Sequence, residues 1–238
     1  MTGPPIANGL GLFGDAFDFV FYQQEAQTGG VMVGGLEQIG DLAATQLQVT
    51  VLALGVAVLL ALPAGLLLGH FGKGEFVAVS AGNAGRALPE LALIALMAAA
   101  VGVGLFNLVV ALAILGIPPI LTNTFVGIRQ VDRASVEAAR GMGMTNREII
   151  TKVELPLAIP TIMGGVRTAS INIIATATIA PLAGILTLGD LIISRNVYGD
   201  AGVLAGAVLV ALMAITIEGL LAGVQWALTS RGLKLQRA

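Results

Sequence analysis

The chain has 238 residues, 56% apolar and only 11% charged, with a net charge of −2 and a mean hydropathy of +0.92. Soluble proteins carry roughly 25% charged residues, so this composition reads as a polytopic membrane protein and gives no footing for nucleic-acid binding. Cysteine is absent and histidine occurs once, as His70, which excludes disulfides, thiolate metal ligands and a histidine-built metal site.

Residues 1–42 come first as an external N-terminal segment. The first forty residues contain no Lys or Arg but do contain Asp15, Asp18, Glu25 and Glu37. They lack the basic start and continuous apolar core of a cleavable signal. Within them, LGLFGDAFDFVFY (10–22) reads either as a short aromatic helix lying at the membrane interface or as a disordered tail.

Five stretches then have the length to cross a hydrocarbon core of ~30 Å, which takes about 20 apolar residues in a helix. They are 43–69, 88–104, 106–127, 157–180 and 203–228, so the expected fold is all-α with five transmembrane helices. Prolines 63, 89, 118, 119, 156, 160 and 181 fall inside or at the ends of these spans, where neighbouring helices can satisfy the freed backbone groups. His70 and Glu90, at span ends, read as interfacial.

Charge sets the orientation. Lys73, Arg86, Arg129, Arg133, Arg140, Arg147, Lys152 and, about ten residues into the fourth span, Arg167 belong to one side. Arg231, Lys234 and Arg237 follow the last span, and Arg195 alone lies opposite. Cytoplasmic loops are rich in Lys and Arg, so the N-terminus is expected outside and the C-terminus in the cytoplasm.

The longest cytoplasmic connection, 128–156, is not composed like a flexible linker. Asp132 is placed to cap a helix over 133–140, and Gly141 and Gly143 end it. Thr145 with Glu148 three residues on forms a capping box that opens a second helix running into Pro156. The small residues Ala134, Ala138 and Ala139 would let another surface approach closely. Either this loop is a folded helix–turn–helix that docks on a partner, or its helicity is incidental to a solvated loop.

The spacing Glu137-Ala138-Ala139, three residues, Gly143, nine residues, Val153, one residue, Leu155-Pro156 resembles the EAA-x3-G-x9-I-x-LP signature of membrane subunits of binding-protein-dependent ABC importers. Val for Ile at 153 is the one departure. The segments RALPELALIAL (86–96), PPILTNTFVGIRQVD (118–132), LPLAIPTIMGGVRTASI (155–171) and LGDLI (188–192) extend the resemblance over roughly 43–235, the permease domain. They are closer to osmoprotectant permeases than to methionine-type ones, which share the five-span plan. AGILTLGD (183–190) has fewer glycines than the family's usual run there.

The resemblance implies a type I ABC importer permease in the cytoplasmic membrane, moving compatible solutes such as glycine betaine, carnitine or choline. It implies two cytoplasmic ATPase subunits, a second permease chain (identical or paralogous) and an external binding protein. Glu137, Ala138, Ala139, Gly143, Leu155 and Pro156 would couple the pore to the ATPase. The chain lacks the phosphate-cradling G-x4-G-K-[ST] pattern, since HFGKGE (70–75) has neither its first glycine nor its Ser/Thr. It is therefore not expected to be an enzyme or to bind a cofactor; ATP and Mg would belong to the partner. Within transport the alternative solutes are an amino acid or a thiol-betaine. An ATPase-independent channel or secondary carrier would need no docking loop, and an intramembrane enzyme finds no catalytic constellation.

Two ionisable residues lie within spans. Arg167 and Glu218 both sit about ten residues, ~15 Å, from the cytoplasmic edge, so they either pair with one another or face a watery vestibule separately. Asn123, Thr124, Asn172, Thr176 and Thr178 are candidates to line a solute path, the alternative being that they glue helices together. GxxxG occurs at Gly65–Gly69, Gly202–Gly206 and Gly219–Gly223. The spans carry no aromatic cage for a quaternary ammonium group, which assigns specificity to the external binding protein.

Overall fold

The computed structural model describes residues 9–72, 74–87, 89–230 and 232. Lys73, Arg231, Lys234 and Arg237, used above for orientation, lie outside the described residues.

The chain opens with helix α1 (Gly9–Phe21) and a small antiparallel hairpin of β1 (Gln23–Glu25) and β2 (Met32–Gly34). The 10–22 stretch is thus helical as far as Phe21. Its Ala16 and Phe19 pack inward, while Phe13 and Phe17 stay exposed. Helix α2 (Gly35–Phe71) follows as one rod of 37 residues through Pro63. At ~1.5 Å per residue it is ~55 Å long and overshoots the hydrocarbon core. One stripe of α2 is buried, and from Ala53 it reads Ala53, Ala57, Ala61, Gly65, Gly69. Small residues every four positions let another backbone approach closely. That neighbour is α5 (Leu105–Arg129). A Cβ on Gly65 would stand 2.6 Å from the Thr124 Cβ, and one on Gly69 2.7 Å from the Ile128 Cβ. These contacts ascend together, so α2 and α5 run parallel.

The second expected span, 88–104, holds only α4 (Glu90–Val101), a helix of 12 residues; a separate helix of 13 residues, α3 (Glu75–Ala87), precedes it, and the two make the crossing together. Four helices among the described residues are long and apolar enough to cross a membrane, rather than five. Pro89 is the cause: it lacks an N–H and disfavours helical geometry in the residue before it. The two halves still pass along α5 in turn. Gly85 lies on Pro118, and the Asn107 amide donates to the Gly102 carbonyl. The 75–87 stretch, read as a loop, is the half that the sequence analysis missed.

Helix α8 (Leu155–Ala177) returns antiparallel to α5, with Gly165 on Asn123 and Gly116 on Ile173. A 3-10 turn (Ala180–Ala183) and α9 (Gly189–Ile193) lead to α10 (Arg195–Leu228), which bends at Gly199, φ 66°. Gly199 also explains why the last helix starts eight residues before the expected span. Gly202 packs on Tyr198 and Phe19, and Gly206 on Leu191, whereas Gly219 and Gly223 meet nothing among the described residues.

The core follows these crossings. Leu108, Leu112, Ile173 and Ala180 fill the end near α9; Ala57, Ala61, Ile120 and Ala169 the middle; Ile128, Ala158 and Ile162 the end near the 128–156 loop. The loop end and the far end are named accordingly below.

Candidate functional site

The 128–156 connection folds as two capped helices. In α6 (Arg133–Gly141), the Asp132 carboxylate accepts from the Ala134 and Ser135 amides at 3.4 and 3.1 Å. Those amides and the Ser135 hydroxyl hold the Asp132 pKa below its ordinary value. At the other end Gly143 turns left-handed, φ 83°, and the Met144 N–H reaches back to the Ala139 carbonyl at 3.2 Å. That closure is a Schellman-type cap, which glycine permits.

The second helix, α7 (Asn146–Ile149), carries a complete capping box. The Glu148 N–H donates to Thr145 Oγ1 at 3.4 Å, and the Thr145 N–H to Glu148 Oε2 at 3.0 Å. Lys152 Nζ donates to Glu148 Oε1 at 2.9 Å. A π-helical turn, Ile150–Glu154, joins α7 to α8 without a break.

Glu137 and Ala138 are exposed on α6, as is Gly143; Leu155 and Pro156 are half-buried where α8 begins. Ala139 does not fit its expected place. It is 2% exposed and packs against its own chain, so of the alanine pair only Ala138 offers a surface. Met142, 76% exposed between two glycines, is an apolar knob on that surface that the sequence analysis passed over.

His70 does not stand open at the end of α2. Its Nδ1 lies 2.7 Å from Glu154 Oε2, and the two side chains are 3% and 6% exposed. The pair ties the end of α2 to the π turn. It floors a cleft of about 170 Å³ beneath α6 that Arg129, Arg133, Glu137 and Arg140 rim. No local pattern points to it, because the partners are 84 residues apart in the chain.

Inside the bundle, the structure brings Arg167 and Glu218 together. Arg167 Nε donates to Glu218 Oε1 at 2.8 Å, a second guanidinium N–H reaches the same oxygen, and Nη1 donates to Gln225 Oε1 at 2.8 Å. Gln225 was not anticipated, although it lies seven residues, two turns, after Glu218 on the same helix face. This network clips α8 to α10.

The candidates for a solute path separate. Thr124 is fully buried against Gly65 and lines no open face of this chain. Asn123 is half-buried and donates to its own Pro119 carbonyl at 2.8 Å. Thr178 donates to the Ala175 carbonyl at 2.6 Å. Asn172 is exposed, on a face of α8 that also exposes Thr168, Ile171 and Ala175. Thr176 is buried, and its hydroxyl donates to Glu90 Oε2 at 2.7 Å. Glu90 is exposed yet engaged with α8 through this bond. Among the described residues no group of His, Asp and Glu is arranged to hold a metal ion.

This architecture has known counterparts. The family described as "binding-protein-dependent transport system inner membrane component" matches residues 57–231. The chain belongs to that family. A glycine betaine/carnitine/choline transport system permease protein of Bacillus subtilis, OpuCB, is 38% identical over 79% of this chain and 87% of its own. The choline transport system permease protein OpuBB of the same organism is 39% identical over 78% and 86%, and a carnitine transport permease protein of Listeria monocytogenes 37% over 77% and 84%. Among solved structures, the inward-facing MetNI methionine ABC transporter superposes with a TM-score of 0.71 at 22% identity, covering 81% of this chain and 96% of that one. An amino acid ABC transporter solved with histidines gives 0.61 at 23%, covering 79% and 93%. The fold is that of type I ABC importer permeases. As an inner-membrane component of a transport system, the protein is a permease subunit and not an enzyme of its own.

Proposed function

We propose that this permease forms the pore of an ATP-driven importer of quaternary ammonium solutes such as glycine betaine, carnitine or choline. The sequence relatives, named for these solutes, support the substrate class. The observation that carries the mechanism is the loop: two capped helices, rigid against α8, presenting Glu137, Ala138 and Met142 outward. Such a surface suits a groove on an ATPase, with Glu137 a polar contact and Ala138 permitting close approach.

Arg129, Arg133, Arg140, Arg147 and Lys152 cluster at the loop end, which supports a cytoplasmic location for that end. The far end, with Asp15, Asp18, Glu25 and Glu37, faces outside and receives the binding protein. Two permease chains, identical or paralogous, pair with two ATPases. ATP and Mg bind the ATPases. Closure of the ATPase dimer on ATP pulls the loops and favours the outward-open pore, and hydrolysis resets it. Each ligand shifts the balance only by its preference for one conformation.

The test is reconstitution of the full importer in liposomes, with ATP hydrolysis measured with and without glycine betaine. Hydrolysis stimulated by betaine in wild type and lost in E137R supports both the solute and the loop. Assembly with hydrolysis indifferent to betaine, carnitine and choline discards the solute. Failure to associate with any ATPase discards the importer reading.

A further inference from the structure

The break in the second crossing puts a carboxylate where an uninterrupted apolar span would have had none. Glu90 is the first residue of α4, directly after Pro89. Its depth follows from its neighbours. Ile173 abuts Gly116, so Thr176, one turn further along the antiparallel α8, stands level with Ala113. Glu90, bonded to Thr176, is thus about eight residues, ~12 Å, inside the far end of α5. The start of a helix favours an anion, because the first-turn amides point at it.

A carboxylate at that depth faces one of three surroundings: lipid, protein or water. Lipid is the costly one, since ionised groups are expelled from hydrocarbon. The described residues of the same chain do not enclose it. Glu90 is exposed, and among the described side chains no Lys, Arg or His pairs with it. Thr176 occupies Oε2, and Oε1 has no partner among the described side chains. The adjoining open face of α8 exposes Thr168, Asn172 and Ala175, with Ile171 along one edge. Glu90 therefore closes the far end of a polar stripe about two turns long.

The solute class gives this geometry its meaning, and in that respect the inference rests on the function proposed above. A quaternary ammonium group keeps its charge at every pH and has no N–H to donate, so hydrogen-bonding side chains cannot select it. What remains is an aromatic face or a counter-charge. The stripe has no aromatic residue, and it has one carboxylate. We propose that Glu90, held by Thr176 beside the open stripe of α8, is the counter-charge that the cationic headgroup of the solute meets inside the pore. A single partly hydrated carboxylate suits transport, which needs attraction strong enough to admit the solute and weak enough to release it.

The chain contains no cysteine, so one introduced thiol reports its surroundings cleanly. In the full importer reconstituted in liposomes, A175C is treated with a methanethiosulfonate carrying a trimethylammonium group and with its sulfonate counterpart. The cationic reagent is expected to react about tenfold faster or more. In E90Q/A175C the ratio falls close to one, and in E90D/A175C most of it survives. Uptake of radiolabelled choline follows the same order, wild type above E90D and E90D well above E90Q. A purely structural Glu90 would give the reverse, because glutamine keeps the oxygen that accepts from Thr176 and aspartate withdraws it. No labelling of A175C by either reagent, an unchanged ratio in E90Q, or choline uptake in E90Q at the wild-type rate overturns the proposal. A wild-type importer that moves no quaternary ammonium solute overturns the functional reading and this inference with it. That result appears in the wild type, where a failure of the counter-charge alone appears only in the variants.

Discussion

His70 and Glu154 meet 2.7 Å apart in a place almost closed to solvent, linking the last turn of α2 to the π turn ahead of α8. Removing one partner leaves the other buried without its hydrogen bond, which costs about 1.5–3 kcal/mol when a charged group is involved. H70A is expected to lower the thermal unfolding midpoint of the purified complex clearly, and H70Q, which keeps a donor, to lower it less. Equal midpoints for H70A and wild type would show that the contact adds nothing to stability.

Asp132 makes the start of α6 sensitive to acid. Its native pKa lies below the ordinary carboxylate value because the Ala134 and Ser135 amides favour the charged form. A depressed native pKa means that the cap stabilises α6 fully above the unfolded pKa, about 4, and loses its effect as pH falls towards the native one. Hydrogen-exchange protection of Ala134 and Ser135 should decline over that window in wild type. In D132A it should be low already at neutral pH and flat with acid. Wild-type protection that does not change through the window would contradict the cap's role.

The Arg167–Glu218 contact can be tested by exchange of charges. An uncompensated charge in a span costs about 2.5–3.5 kcal/mol on insertion scales. Both side chains here keep about a third of their exposure, 32% and 29%, and solvent screens part of that. E218R and R167E singly should each reduce the folded, membrane-inserted yield, and the double variant should recover much of it. A double variant as poor as the singles would mean that each charge serves its own surroundings.

Glycine pairs at the same spacing should differ sharply in their tolerance. A side chain at Gly65 drives into Thr124, and overpacking of this kind costs about 1–3 kcal/mol. G65V should therefore destabilise the single permease chain. G219V and G223V meet open space and should leave its unfolding midpoint unchanged. Equal losses in both sets would place the α2–α5 contact elsewhere.

What could be read in advance depended on range. The caps at Asp132 and Thr145 are local patterns of two to four residues, and both helices of the loop stand where those residues put them. The spans that became α5, α8 and α10 were legible as long apolar runs. The second crossing was legible only in its α4 half, because Ser80, Asn83 and Arg86 dilute the hydropathy of 75–87, and Pro89 looked like a border when it is a break. Helix α3 is held instead by small residues against α5, a contact that exists only once α5 is folded. The same holds for His70 with Glu154 and Glu90 with Thr176, which meet across 84 and 86 residues. Thr124 shows the converse: a threonine in a span is as suited to sealing two helices as to facing water.

The π turn at Ile150–Glu154 carries α7 into α8, so that Asn146–Ala177 is one unbroken rod of 32 residues. At ~1.5 Å per residue it is ~48 Å long. A rod without a joint at the membrane surface behaves as a lever. Were α7 pushed sideways, the Arg167 clip to α10 would be the fulcrum and Thr176, beyond it, would swing the opposite way. The one compliant stretch is the π turn, whose surplus residue can be taken up by tightening to an α-helical turn, lengthening the arm slightly and rotating everything beyond it.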